Sequence, residues 1–358
     1  MFHLRPVLFL FLPISLLWGC KPSSFYSLED FASLQKIDVH VHIRTERMDF
    51  AEQAKQHNFQ LVNVVVDDQD DWNKLRRRYG YAFTQQTAHP NLIKTITSFS
   101  VDGFHEAGWE DQVIAWLDSC FEEGSLGVKV WKNIGMVLKD TNDANVMIDD
   151  PRIDRVFRHI EQQQKILMGH LGEPLNCWLP LEEMTTNNNR NYFKNHPEYH
   201  MYLHPELPSY QDQMDARDRR LDKHPNIIFL GAHMASIEWN VDTLGAWLDQ
   251  YPEASIDLAA RMSNVFYQTR EDRARVRQFF LRYQDRIQYG TDLADRGRSD
   301  SEKFATHTYD TWIRDWTFLA TDQMMDSHLI EGEFQGIQLP KEVIDKIYYH
   351  NAVQMFGF

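Results

Sequence analysis

The chain has 358 residues, 43 % hydrophobic and 25 % charged, enough apolar material for a large core and too much for a disordered tail. Acidic residues number 52 against 37 basic ones, a net charge of −15 with no basic stripe, which argues against a dedicated nucleic-acid binder. Three cysteines do not make a disulfide framework.

The first residues read as an address. Arg5 precedes an apolar run, Pro6–Trp18, of signal-peptide length and too short to span a bilayer comfortably. The run ends in Leu17-Trp18-Gly19-Cys20, which resembles a bacterial lipobox. That resemblance implies a lipid on Cys20 and a chain anchored in the bacterial cell envelope, facing the periplasm or the cell surface. An ordinary secretory signal with an incidental cysteine is the competing reading. On the first reading residues 1–19 are the signal, 20–35 a tether and lead-in, and 36–358 the folded body. Cys120 and Cys177 sit in apolar surroundings and read as buried free thiols, with an export-compartment disulfide as the alternative.

Eight short β-branched runs follow in order: Ile37–His42, Leu61–Val66, Ile93–Phe99, Gly127–Trp131, Ile166–His170, Ile227–His233, Ala254–Leu258 and Arg286–Thr291. Their centres lie roughly 25 to 40 residues apart, with one gap of about 60 between the fifth and sixth. Helical patterns fill the intervals, among them Trp109–Glu123, a segment opened by Asp150-Pro151, Val241–Tyr251 and Arg273–Tyr283. Strand and helix in alternation predict parallel strands with right-handed crossovers, and eight such units predict a (β/α)₈ TIM barrel. No GxGxxG or GxxxxGK[ST] follows the first strand, which removes the usual reason to prefer an open sheet. The long gap holds residues 174–208, rich in Asn, Pro and aromatics, and reads as an insertion after strand 5 that covers the site as a lid. A second polar loop, Asp292–Phe304, carries Arg296 and Arg298.

On the first strand, period two puts Asp38, His40 and His42 on one face and Ile37, Val39 and Val41 on the other. The apolar face is expected against the helices and the imidazoles inside the barrel mouth. Two His at i, i+2 make a bidentate metal platform. His170, His233 and Asp292 close the fifth, sixth and eighth runs, at the strand ends where barrel enzymes build their sites. A hydrogen-bonded core histidine or a capping aspartate is the bland reading of any one of them. Their shared placement favours a site.

The stretches KIDVHVH, GVKVWKNIGM, GHLGEP, GAHMAS, SIDLAAR, YGTD and IYYHNAVQMFG together resemble the amidohydrolase superfamily. In detail the chain is similar to the amidohydrolase-related branch, metal-dependent hydrolases of TIM-barrel fold. The resemblance runs from about Lys36 to Phe358. It implies that His40, His42, His170 and Asp292 hold one divalent ion, zinc or else manganese. Asp292 would also accept and pass on a proton, and His233 would be a second-metal ligand or a catalytic electrophile. Water activated by the metal would attack an ester, lactone or amide carbonyl. Binuclear relatives carry a carbamylated lysine on the fourth strand. Here Lys129 and Lys132 occur, and both read as solvated or substrate-facing cations suited to an anionic substrate. Glu173 and Arg261 are further substrate-binding candidates, with an ordinary salt bridge as the alternative. Trp131, Trp178 and Tyr202 could form an aromatic wall, or else pack in core and lid.

The expected partners are a small-molecule substrate, no nucleic acid, and a membrane only through lipid at Cys20; self-association is left open. A non-oxidative decarboxylase on the same metal site is the competing enzyme. A non-catalytic binding lipoprotein on a degenerate barrel is the competing class.

Overall fold

Nine strands lie side by side in one sheet. They are β1 (Lys36–Ile43), β2 (Phe59–Val64), β3 (Ile93–Ser98), β4 (Gly127–Val130), β5 (Ile166–Gly169), β6 (Ile228–Gly231), β7 (Ser255–Asp257), β8 (Ile287–Gln288) and β9 (Leu293–Asp295). The computed structural model describes residues 24–358, so the expected signal and Cys20 lie outside the described residues. The order is sequential from β8 down to β1, with β9 on the far side of β1. All neighbours are parallel. Past β8 the backbone returns to β1: the Val39 N–H donates to the Tyr289 carbonyl at 3.0 Å, and the Asp292 N–H to the His40 carbonyl at 2.8 Å. The first and eighth strands therefore meet, and the curled sheet is TIM-barrel-like.

The helices start where side chains can satisfy their free N–H groups. Asp71 accepts from Asn73 and Lys74 ahead of Trp72–Ala88, and Ser209 forms a reciprocal capping box with Asp212 ahead of Tyr210–Lys223. Asp150 caps as expected, accepting from the Arg152 N–H, although a 3₁₀ turn, Pro151–Ile153, precedes the helix Asp154–Gln162. Further helices include Trp109–Glu122, Val241–Gln250, Met262–Glu271, Arg273–Arg282 and Ser301–Ala320.

The sheet divides the core into two layers. Ile37, Val39, Val62, Val64, Ile96, Ile166, Met168 and Leu230 pack inside the curl, and Ala352 and Phe356 of the C-terminal helix Asn351–Phe356 close its floor. Val41, Leu61, Val128, Leu167, Phe229 and Ile256 pack outward on helix residues such as Leu75, Leu117, Val156 and Leu244. Each such buried side chain contributes about 1.5–3 kcal/mol relative to exposure.

Strict alternation along β1 does not hold. Its pairing with β2 shifts register between Asp38 and Val41. Ile37 and Val39 belong to the inner layer, Val41 and Ile43 to the outer one. Asp38 consequently leaves the imidazole face. Its carboxylate accepts from the Trp312 indole at 3.1 Å and the Thr291 hydroxyl at 2.6 Å. A one-residue slip exchanges the faces of every residue beyond it, which is how a bulge re-aims side chains beside a site.

The chain between β5 and β6 is more ordered than its composition suggests. It holds the helix Asn187–Asn195, several 3₁₀ turns and the helix Tyr210–Lys223. Cys177, Met184, Phe193 and Met201 form a small apolar cluster within it. Cys120 and Cys177 are buried and free, so the disulfide alternative is not realised. No described helix is long and apolar enough to cross a membrane.

Candidate metal centre

The expected residues arrive at the C-terminal mouth of the sheet on irregular backbone. His40 and His42 project inward from β1 beyond its bulge. Gly290 makes room for His40, because a Cβ there would sit 3.1 Å from the His40 Cβ. Asp292 follows β8 in a left-handed conformation, φ 68°. His233 opens a run of four left-handed residues after β6, with φ between 54° and 58° from His233 to Ser236. Each such residue costs about 1–2 kcal/mol relative to right-handed backbone. The turn is held by the His233 N–H donating to Asp257 Oδ1 at 2.7 Å. Strain of this kind concentrates where side chains must be aimed.

Three histidines are fixed through the same ring nitrogen. His40 Nδ1 lies 2.8 Å from Asp257 Oδ2, His42 Nδ1 2.6 Å from the Val64 carbonyl, and His233 Nδ1 2.9 Å from the Ala259 carbonyl. Carbonyl and carboxylate oxygens accept, so each Nδ1 carries a proton and each ring turns its Nε2 away from its anchor. The His42 lone pair faces Asp292 Oδ1 at 2.9 Å, and His40 Nε2 lies 3.6 Å from the same oxygen. Potential ligand atoms of His40, His42 and Asp292 lie within 4.8 Å of one another. His40, His233 and Asp257 form a second such set. His170 joins neither set, but its ring abuts His233 at 4.2 Å between centroids. Its buried Nε2 has no hydrogen-bond partner.

Burial sets the charge of this cluster. It pushes the His42 imidazole down to about 4, against the opposing pull of Asp292. Burial also holds His170 and His233 well below the usual histidine range, and the charge of Lys129 adds to this in both. For Asp292 burial acts upward, but the facing His42, then His40 and Lys129 beside it, outweigh burial and hold the carboxyl well below the usual range. At neutral pH a neutral imidazole and an ionised carboxylate thus point lone pairs at each other. Neither can donate, and a cation between them resolves the conflict. The donor set of imidazole nitrogen and carboxylate oxygen suits zinc or manganese.

The remaining expectations fall differently. Lys129 is buried rather than solvated, with Nζ 3.4 Å from His40 Nε2, and burial brings its ammonium down to about 8. Lys132 and Glu173 pair with each other. Arg261 is buried with its Nε 3.9 Å from Glu238 Oε2, and neither atom has a hydrogen-bond partner. Trp178 donates to the Pro208 carbonyl at 3.3 Å and Tyr202 is half exposed, so the wall of three aromatics does not assemble; Trp131 packs on the inner layer. Sequence reasoning missed Asp257. It closes β7 just as Asp292 follows β8, and the strand-end rule applied to SIDLAAR would have found it.

Residues 198–358 match the family model described as Amidohydrolase. That span carries His233, Asp257 and Asp292. A 2,6-dihydroxybenzoate decarboxylase from Rhizobium superposes with a TM-score of 0.52 at 13 % identity, over 90 % of this chain and 98 % of that one. A dihydroxybenzoic acid decarboxylase from Polaromonas sp. JS666, with bound manganese and the inhibitor 2-nitroresorcinol, gives 0.51 at 14 %, over 90 % and 97 %. A TIM-barrel protein from Bordetella bronchiseptica gives 0.51 at 13 %, over 91 % and 100 %. At these identities the likeness shows the fold. No curated protein matches the sequence.

Proposed function

We propose that the chain is a metal-dependent hydrolase of the amidohydrolase superfamily, acting on an ester, lactone or amide carbonyl of a small anionic substrate. The observation that carries this is the His42–Asp292 contact, two acceptors at 2.9 Å, each held in place from behind. His40, His42 and Asp292 would hold the ion, with the unpartnered His170 Nε2 turned to the same use. A divalent cation bound there supplies Lewis acidity and makes water acidic enough to lose a proton near neutral pH.

The chain's own groups do the rest. Asp292, ionised at neutral pH, accepts a proton from water and returns it to the leaving group. His233, neutral and anchored through Nδ1, faces the site with Nε2 and orients the substrate carbonyl. Buried Lys129 and Arg261 and half-buried Lys132 all act electrostatically on His170, and this positive wall suits a carboxylate.

That same wall favours decarboxylation as the second reading, because a carboxylated substrate would be drawn to it. A panel of lactones, esters and carboxylated aromatics, assayed on the zinc- and manganese-loaded protein, separates the two. Turnover with uptake of water and no carbon dioxide supports hydrolysis. Carbon dioxide release supports the second reading. Stoichiometric metal with no turnover of either class supports the non-catalytic alternative. Envelope anchoring through Cys20 is a separate proposal, tested by palmitate labelling of the full chain that is lost in Cys20→Ala.

A further inference from the structure

Beside the metal cluster the fold gathers positive charge that the linear sequence disperses. A cavity of about 480 Å³ is lined by Arg44, Arg77, Arg78, Arg296 and Arg298, with Asp68 its one acidic residue. The chain as a whole carries −15. The arginines come from three separate stretches. Arg44 follows β1, and its N–H extends the β1–β9 ladder by donating to the Asp295 carbonyl at 2.8 Å. Arg296 and Arg298 follow β9, and Arg77 and Arg78 lie on the helix Trp72–Ala88. The same two strands that place His42 and Asp292 thus continue outward into this cavity.

Its internal pairing is incomplete. Asp68 is shared by Arg44, at 3.0 Å, and Arg78, at 2.6 Å. Arg78 also donates to the Val66 carbonyl at 2.8 Å. Those contacts hold two guanidinium groups in place. Arg77, Arg296 and Arg298 are exposed and make no hydrogen bond or ion pair among the described residues. Like charges held this close repel, and no second carboxylate lines the cavity to offset them. Guanidinium forks match oxyanions in a bidentate geometry, and several forks around one concavity match a doubly charged group better than a single carboxylate. We propose that this cavity binds a multiply charged oxyanion of the phosphate or sulfate class, free or carried on a small molecule that reaches the adjacent metal cluster.

The test is calorimetric titration of the zinc-loaded full chain with inorganic phosphate and, separately, with glycerol phosphate. Wild type is compared with the triple variant Arg77→Gln, Arg296→Gln, Arg298→Gln, and zinc content is measured in both. These side chains are exposed, so the variant is expected to keep its melting temperature and its zinc. The expected result is saturable binding by wild type that weakens with added sodium chloride and falls at least tenfold in the variant. Equal affinity for the two probes assigns the cavity to a free anion. Tenfold tighter binding of the ester assigns it to an oxyanion carried on a small molecule. No saturable binding by wild type, or equal binding by the variant, overturns the proposal. Zinc content reports separately on the metal centre, so an Arg-dependent anion site in a zinc-free protein would sink only the metal reading.

Discussion

Asp257 grips His40 from behind, with Oδ2 2.8 Å from Nδ1. Its other oxygen takes the His233 N–H at 2.7 Å and the Ala259 N–H at 3.1 Å. One buried carboxylate therefore sets the tautomer of one imidazole and the backbone turn that carries another. Both of its oxygens must accept.

An amide cannot do that. Asp257→Asn presents an NH₂ either to His40 or to the two backbone donors. Facing His40, it draws the ring proton to Nε2 and blocks the lone pair. The expected outcome is a 10- to 100-fold loss of zinc affinity, read by chelator competition. Unchanged affinity would show that His40 is not a ligand held in this way.

Asp292→Asn is a clean test of the proton acceptor. Asparagine tolerates left-handed backbone, so φ 68° is not disturbed. The amide keeps a ligand oxygen but accepts no proton near neutral pH. We expect turnover to fall about 10²- to 10⁴-fold with zinc still bound. Full activity in this variant would remove Asp292 from its role.

His170 offers a contrast between stability and binding. Its buried Nε2 has no partner, and leaving such a group unsatisfied costs about 1–3 kcal/mol. His170→Leu is therefore expected to raise the melting temperature of the metal-free protein by roughly a few degrees. The further rise that zinc produces in wild type should shrink or vanish. A variant that loses stability without metal and keeps the full zinc response would contradict this.

Lys36 makes a pH prediction away from the site. Burial holds its ammonium down to about 7, while Nζ contacts the Phe31 and Leu34 carbonyls at 2.5 and 2.7 Å. An unfolded lysine titrates near 10.4. Between these values the unfolded chain binds more protons than the folded one, so this residue's contribution to stability increases as pH rises through the window. Urea unfolding at pH 7 and pH 9 should show a smaller increase in Lys36→Met than in wild type. Equal increases would mean that Lys36 is not charged against its burial.

Much of the architecture was legible because β-branched runs at regular spacing, with helical patterns between them, suit little besides parallel strands joined by crossovers. The eight expected strands are all present, most of them shorter at the mouth, where His170, His233 and Asp292 leave extended geometry. The parity of β1 was not legible. The shift between Asp38 and Val41 depends on pairing with β2, and no local pattern announces it. The strand after Asp292 spans only Leu293–Asp295, too short for a period to register. The helix Asn187–Asn195 hides in an Asn-rich stretch of poor intrinsic helix preference. The arginine cavity was invisible for a different reason. Its members lie far apart in sequence, and only the β1–β9 ladder brings Arg44 beside Arg296.

The central claim is that His40, His42 and Asp292 enclose one divalent cation. Elemental analysis of protein dialysed against micromolar zinc, in wild type and His40→Ala, tests it most directly. The account predicts close to one equivalent per chain in wild type and only traces in the variant. Wild type without stoichiometric metal, or a variant that retains it, would contradict the account.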